Sequence, residues 1–316
     1  MASGKITFNR FKKLSERAVE HAKRISLPLF DGVPLYDVLL FFWRSIVDGS
    51  ITTRASGIAF SFFLALFPGI IFLFTLIPAS GFQQELYVII HEVVPEKIWP
   101  AVEETIAQIV LENPRGKVTL LNFLMSLMFA TNGFVSMMSA FDATVHNINR
   151  RKWWSQYIAA VTLLVIFTLL LVVAIAMLTG GQALINYLEQ IDIIHDYFSK
   201  ILFTIGKWII TVTIFFFAFS FLYYMAPAKK TKWRFISAGG SLATVLSIFG
   251  FIGMSYYLDN FSQYNILYGS IGTLLAVLLL MYVMSLILLI GFELNASIYQ
   301  AHTYQEDEDE KMIYKI

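Results

Sequence analysis

Residues 161–178 read VTLLVIFTLLLVVAIAML, and two threonines are their only polar side chains. About 20 residues of this kind form a helix long enough to cross a bilayer, with every backbone group hydrogen-bonded inside the segment. The whole chain has the same character, since 57% of its 316 residues are hydrophobic and only 14% are charged. In water such a chain would expose far too much apolar surface. The sequence therefore predicts an all-α, polytopic membrane protein and excludes a soluble globular enzyme.

Six stretches are long and apolar enough to predict a bundle of six transmembrane helices. They cover about 57–77, 118–145, 157–179, 203–225, 235–258 and 271–294. Pro68 lies near the middle of the first stretch and predicts a kink there. No segment resembles an interdomain linker. We therefore expect one transmembrane domain over 35–300, preceded by a basic segment, 1–34, and followed by an acidic tail, 301–316.

The distribution of Lys and Arg predicts the orientation of the bundle. Nine of these residues precede the first span, and others cluster at 150–152 and 229–234, whereas the opposite loops hold few. Basic residues are enriched in cytoplasmic loops. With six spans, both termini are then expected in the cytoplasm.

Three segments outside the spans have apolar residues at helical spacing. Residues 35–47 are too short to cross a membrane and predict an interfacial helix that leads into the first span. Residues 82–112 predict two short amphipathic helices over the outer mouth of the bundle. Residues 5–27 carry basic residues between apolar ones, so they fit either a helix on the anionic inner leaflet or a solvated tail helix.

Polar residues inside spans are costly, and each is a candidate for function. Two helical faces gather such residues, one in the second span and one in the sixth, and Arg54 precedes the first span at a similar depth. We predict that a cytoplasm-facing polar cluster includes Arg54, Asn132, Asp142, His146, Glu293 and Asn295. Hydrogen bonding between helices alone is an equally good explanation of these residues.

The fifth predicted span carries small residues along one strip: Gly239, Ala243, Ser247, Gly250 and Gly253. Small side chains allow a neighbouring helix to approach closely. Tight helix packing is the first interpretation of this strip, and a smooth groove for an acyl chain is the second.

Sequence patterns of catalytic, metal and cofactor sites are missing. The chain has no Cys, its five His are scattered without H-x-x-x-H or H-E-x-x-H spacing, and it has neither a Walker loop nor a G-x-S-x-G elbow. The net charge of +1 does not favour nucleic-acid binding. We therefore expect no catalytic residue, no cofactor and no metal, and membrane lipids as the main partners.

Four blocks of the sequence carry a family resemblance. They read ASGIAFSFFLALFPGIIFLFTLIP (55–78), FDATVHNINRRKWW (141–154), FLYYMAPAKKTKWRF (221–235) and YNILYGSIGTLLAVLLLMYVMSLILLIGFELNA (264–296). Together they resemble the YihY/BrkB family of bacterial inner-membrane proteins, historically labelled ribonuclease BN. The resemblance covers roughly 35–300. It points to Ser56, Pro68, Asp142, His146, Asn147, Pro227, Tyr264, Tyr268, Gly269, Glu293 and Asn295.

The resemblance implies a protein of the bacterial inner membrane that is linked to envelope integrity. Its expected role is to move or present an envelope lipid or a similar amphipathic anion. The alternative is a membrane scaffold that recruits envelope proteins without transport. The ribonuclease label is disfavoured, because a zinc ribonuclease needs a dense His and Asp cluster on a basic face. The oligomeric state is left open.

Overall fold

The structure, a computed structural model, describes residues 25–48, 50–76, 120–144, 152–190, 197–228, 235–260 and 270–313, with positions 20, 23, 91, 99 and 103. The regular structure of these ranges is helical, which confirms the all-α prediction for them. The seven helices are α1 (Leu35–Asp48), α2 (Ile51–Leu76), α3 (Leu120–Thr144), α4 (Trp153–Gln190), α5 (Tyr197–Met225), α6 (Ala238–Asn260) and α7 (Ser270–Ile313).

Five of these helices contain a stretch long and apolar enough to span a membrane. The stretches are Phe123–Thr144, Trp153–Ala174, Ile201–Met225, Ala238–Tyr257 and Leu274–Gln305. The helix α2 is 26 residues long, and its apolar section among the described side chains is the shorter Ile51–Leu66. A helical multi-pass membrane protein is thus found as predicted, and the count of six spans stays a prediction.

Two helices extend well beyond the predicted spans. The helix α4 runs from Trp153 to Gln190, and α7 continues from Ser270 to Ile313 through most of the predicted acidic tail. Residues 301–313 contain good helix formers and no Gly or Pro, so nothing in the sequence ends α7 at position 300. The extension is also held in place, because Tyr304 lies against the ring of Phe41 and Gln305 donates to Asp37, both in α1.

The six helices α2 to α7 form a ring in chain order. Each packs against the helix before it and the helix after it, and α7 closes the ring against α2. The helix α1 lies outside the ring on α7. Pro68 lies inside α2, which continues through it to Leu76. The predicted kink at Pro68 stays a prediction.

The core is concentrated at one end of the ring, where α2, α4 and α6 begin and where α3 and α5 end; we call this the closed end. Phe141 of α3 stacks on Phe292 of α7 with ring centroids 4.0 Å apart. Tyr223 of α5 contacts both rings, and its hydroxyl donates to the carbonyl of Leu288 at 2.9 Å. Because these three rings come from alternate helices, they fill the centre of the ring as an aromatic plug.

The small-residue strip of α6 lies mainly against α7. A methyl group at Gly239 would overlap the carbonyl oxygen of Gly291, and one at Gly250 would lie 2.8 Å from Ile287. Ala243 and Ser247 are buried, whereas Gly253 is exposed with open space around it. Gly239 and Gly291 thus allow the backbones of α6 and α7 to meet.

The predicted interfacial helix is α1, and it is amphipathic. Val38 is fully buried on the side that faces α7, whereas Leu39, Trp43 and Val47 form an exposed stripe at four-residue spacing. Such a stripe fits the boundary between headgroups and acyl chains. The other two predicted amphipathic segments, 5–27 and 82–112, lie almost wholly outside the described residues.

Candidate functional site

The site is centred on Glu293, which follows Phe292 of the aromatic plug. The Glu293 side chain has no exposed surface, although it directly follows the long apolar section of α7. A carboxylate in such surroundings is costly unless it is paired and hydrogen-bonded.

Donors from three other helices surround the Glu293 carboxylate. Arg54 of α2 forms an ion pair with it, with Nη2 2.5 Å from Oε1. The hydroxyl of Thr144, the last residue of α3, donates to the same oxygen at 2.9 Å. The hydroxyl of Ser45 in α1 donates to Oε2. Glu293 therefore connects α1, α2, α3 and α7 at the closed end.

Arg54 is nearly buried as well, with 13% of its side chain exposed. Its Nη1 donates to the carbonyl of Ala140 at 3.1 Å and to the Thr144 hydroxyl at 2.5 Å. Its Nε is buried and has no hydrogen-bond partner among the described residues. In the described part of the chain, one donor of the guanidinium therefore lacks an acceptor, while Glu293 neutralises the positive charge.

The position of Arg54 follows from the local sequence. Arg54 is the fourth residue of α2, within the first turn, and Thr144 ends α3, so the antiparallel packing of α2 on α3 brings the two together. Ala55 and Ala140 are small and fully or nearly buried, which lets these helices approach closely. The charged head of Arg54 thus reaches both Thr144 of α3 and Glu293 of α7.

Asn295 lies two residues after Glu293 and has a different set of contacts. Its Oδ1 accepts the backbone N–H of Gly239 at 2.8 Å, and its Nδ2 donates to the hydroxyl of Ser237 at 3.0 Å. The Ser237 hydroxyl in turn accepts the N–H of Gly240 at 3.1 Å. Ser237 and Asn295 together cap the first turn of α6, where backbone N–H groups lack partners in the helix.

Asp142 also binds a backbone group at the closed end. Its Oδ1 accepts the N–H of Ala228 at 3.0 Å, three residues after α5 ends. Asp142 thereby connects α3 to the segment that leaves α5.

The structure brings together two of the six predicted cluster residues, Arg54 and Glu293. Asn295 and Asp142 lie at the same end of the ring with separate partners. Asn132 is exposed in the middle of α3, on the opposite side of that helix from Phe141. His146 lies outside the described residues. Within this chain, Asn132 therefore lies apart from Arg54 and Glu293.

Two contributors to the site were not predicted from the sequence, namely Ser45 and Thr144. Thr144 shares the inner side of α3 with Phe141 and Met137, and its position one turn from Ala140 could have indicated it. No sequence pattern indicates that Ser45 belongs to the site, because a single serine is common in an amphipathic helix.

The chemistry of this site is that of a charge pair with hydrogen-bond donors. Within the described ranges, no three His, Asp or Glu residues lie close enough to hold a metal ion. The guanidinium can bind an anionic oxygen, such as a carboxylate or a phosphate, through two donors at once.

Comparison with known proteins gives a family and several distant relatives. The profile of the family described as Virulence factor BrkB matches residues 42–313. A putative ribonuclease-like protein YfkH of Bacillus subtilis is 24% identical over 251 residues, which cover 78% of this chain and 90% of the relative. A UPF0761 membrane protein of Psychromonas ingrahamii is 24% identical over 279 residues, which cover 87% of this chain and 91% of the relative.

A third relative is the UPF0761 membrane protein NTHI0384 of Haemophilus influenzae. It is 20% identical over 262 residues, which cover 82% of this chain and 94% of the relative. No solved structure matches the chain.

Proposed function

Because this chain belongs to the Virulence factor BrkB family, we propose that it is a bacterial inner-membrane protein that moves or presents an envelope lipid or a similar amphipathic anion. It has six spans, with both termini in the cytoplasm and the closed end of the ring on the cytoplasmic side. The proposed role needs no chemical change in the lipid, so no residue is assigned as catalytic.

One observation carries the proposal: the Arg54–Glu293 pair lies buried at one end of an apolar bundle, and Arg54 Nε has no partner among the described residues. A buried ion pair is weak evidence for stability, because desolvation offsets most of its Coulomb energy. An unsatisfied donor on the cation gives it capacity for one more anionic acceptor. A lipid phosphate carries oxygens of that kind.

The proposed binding step is an exchange of partners at Arg54. In the resting protein Glu293 neutralises the guanidinium. An anionic headgroup that reaches Arg54 from the membrane interface takes over part of this role, while Thr144 continues to hydrogen-bond Glu293.

The helix α1 is suited to couple this exchange to the bilayer. Its outer stripe, with Trp43 68% exposed, fits the headgroup region, while its Ser45 hydroxyl binds Glu293. A displacement of α1 would therefore remove a donor from Glu293 and uncover the charge pair.

The aromatic plug closes the centre of the ring of helices. Phe292 and Glu293 are adjacent in α7, so a movement of this helix that separates Glu293 from Arg54 also displaces Phe292 from Phe141. Headgroup binding and opening of the ring centre would then be coupled through one helix.

The test is lipid movement in liposomes that contain the purified protein and a fluorescent anionic phospholipid. We expect wild type to accelerate exchange of this lipid between leaflets and to prefer it over a zwitterionic lipid with the same chains. Glu293→Gln and Arg54→Gln should both abolish the acceleration.

The control is the neutral double variant Arg54→Gln/Glu293→Gln, because it removes both charges and leaves no unpaired ion. If the pair only holds helices together, the double variant recovers both stability and lipid movement, and the proposal is wrong. If the charges bind the headgroup, it recovers stability without lipid movement. Wild-type protein that moves no lipid and instead retains an envelope protein would favour the scaffold alternative.

A further inference from the structure

One surface of the ring has a polar group where a membrane protein normally has none. Asn132 is the middle residue of α3, with twelve residues on each side, and it is exposed. It is therefore about 18 Å from either end of the helix. An Asn side chain is too short to reach the headgroups from there, unlike Lys or Arg.

The exposure of Asn132 is on the outside of the ring. The inner side of α3 is formed by Phe134, Met137 and Phe141, which are buried, and Phe141 contacts α7. Asn132 lies on the opposite side of the helix by the 100° spacing. We define the α3 outer face by its exposed residues: Met125, Met128, Phe129, Asn132 and Ser139.

The other polar groups of this side have partners. Ser139 donates to the Val135 carbonyl at 2.9 Å and accepts from Gln156 at 3.1 Å. Ser136 donates to the Gly57 carbonyl at 3.4 Å. Asn132 has no hydrogen bond among the described residues, so its amide, with two donors and one acceptor, would face hydrocarbon. An unpaired amide in hydrocarbon is strongly unfavourable.

We propose that the α3 outer face is the contact between two copies of this chain, with the two Asn132 amides hydrogen-bonded to each other. A carboxamide is its own complement, because the N–H of one can donate to the oxygen of the other in both directions. Two copies inserted in the same orientation are related by an axis along the membrane normal, which brings identical residues together at identical depth.

The apolar part of this face fits the same partner. Met125 and Met128 are 49% and 52% exposed and lie within two turns of Asn132. Methionine side chains adapt to one another and fill irregular gaps. A water-soluble partner could not reach Asn132 at this depth, and a lipid tail could not hydrogen-bond it. A second copy supplies both the apolar surface and the amide.

The test uses single cysteines, because the chain has none. In native membranes, Met128→Cys and Met125→Cys should give a disulfide-linked dimer on oxidation with copper phenanthroline. Phe249→Cys, on an exposed position of α6 (66% exposed), should give little. Equal dimer yields at Met128 and Phe249, or an adduct with a different protein in place of the dimer, would overturn the proposal.

A second measurement tests how much the side-chain amide of Asn132 contributes to dimerisation. Asn132→Leu should raise the dimer dissociation constant on the order of tenfold, since interhelical hydrogen bonds stabilise helix association in membranes. Asn132→Gln keeps the amide and should retain most of the dimer, and Met128→Leu is the matched apolar control. Leucine is tolerated in a lipid-facing helix, so the monomer should fold with an unchanged melting temperature. Unchanged dimerisation in Asn132→Leu would contradict the proposal.

Discussion

Arg54 and Glu293 are 239 positions apart in the chain and form an ion pair in which Glu293 has no exposed surface. The pair connects the first helix of the ring to the last, and Thr144 of α3 donates to it as well. Ring closure and charge pairing therefore occur at the same place. A substitution of Arg54 or Glu293 should therefore affect both the charge pairing and the closure of the ring.

The two charges should be energetically coupled. Glu293→Gln leaves the Arg54 cation buried without its counter-charge, which we expect to lower the free energy of unfolding by about 3–5 kcal/mol. Arg54→Gln should cost a similar amount, and the double variant should cost much less than the sum. Reversible unfolding in mixed micelles would measure all four proteins. Losses that add to within about 0.5 kcal/mol would show that the two residues act independently.

The bond from Ser45 to Glu293 should anchor α1 to the ring. Ser45→Ala removes a hydroxyl that donates to a carboxylate, and we expect a loss of about 1.5–3 kcal/mol with faster amide exchange in α1. Ser56→Ala is the matched control, because the exposed Ser56 hydroxyl donates to Thr52 within its own helix. Hydrogen-exchange mass spectrometry gives the comparison. Equal exchange in the two variants would refute the anchoring role.

Asp142 should stabilise the end of α5 through its bond to the Ala228 amide. Asp142→Ala should cost about 1–3 kcal/mol and speed exchange at Ala228, since a backbone N–H loses its charged acceptor. Asp142→Asn keeps an acceptor oxygen in place and should cost less. Lipid movement by Asp142→Asn should track its stability. Complete loss of lipid movement in a fully stable Asp142→Asn protein would instead give Asp142 a direct role.

The close approach of α6 to α7 should depend on Gly239. Gly239→Ala would place a methyl group against the Gly291 carbonyl and 2.7 Å from the Asn295 Cγ, so the helices must separate or the α6 cap must break. We expect a fall in melting temperature and loss of the folded protein on purification. Gly253→Ala meets no atom within 4 Å and should be neutral or stabilising, because Ala favours the helix by up to about 1 kcal/mol. Equal effects at the two glycines would rule out the backbone contact as the cause.

The orientation of the ring can be read by labelling. Single cysteines at Ser199 and Glu104 should react with an impermeant maleimide in intact cells, because the basic loops are expected in the cytoplasm. Ser155→Cys, exposed at the start of α4, should react after lysis alone. The opposite pattern would invert the bundle and place the closed end outside.

The sequence was a good guide to the helices and a poor guide to their ends. Long apolar runs predict helical spans, because a helix satisfies every backbone group within the segment. The helix predicted over 35–47 is also present, as α1, and its place at the membrane interface stays a prediction. The boundaries of α4 and α7 could not be found in this way. The acidic segment 301–313 is helical because it continues α7 and packs on α1, and hydropathy carries no information on such contacts.

For the candidate site as well, part of the arrangement follows from the sequence and part follows from the tertiary structure alone. By itself the sequence determined that Arg54 and Glu293 are costly at their depth and need partners, because a charge near hydrocarbon must be paired wherever it lies. Only the tertiary structure decided which partners they have. Arg54 meets Glu293 because the ring closes α7 on α2, whereas Asn295, two positions along the same helix, points to α6 and caps it. Asn132 shares a helical face with Asp142 in the sequence, yet the ring leaves Asn132 on the outside. Helical spacing fixes the angle between two side chains, and the neighbours at each angle are fixed by packing alone.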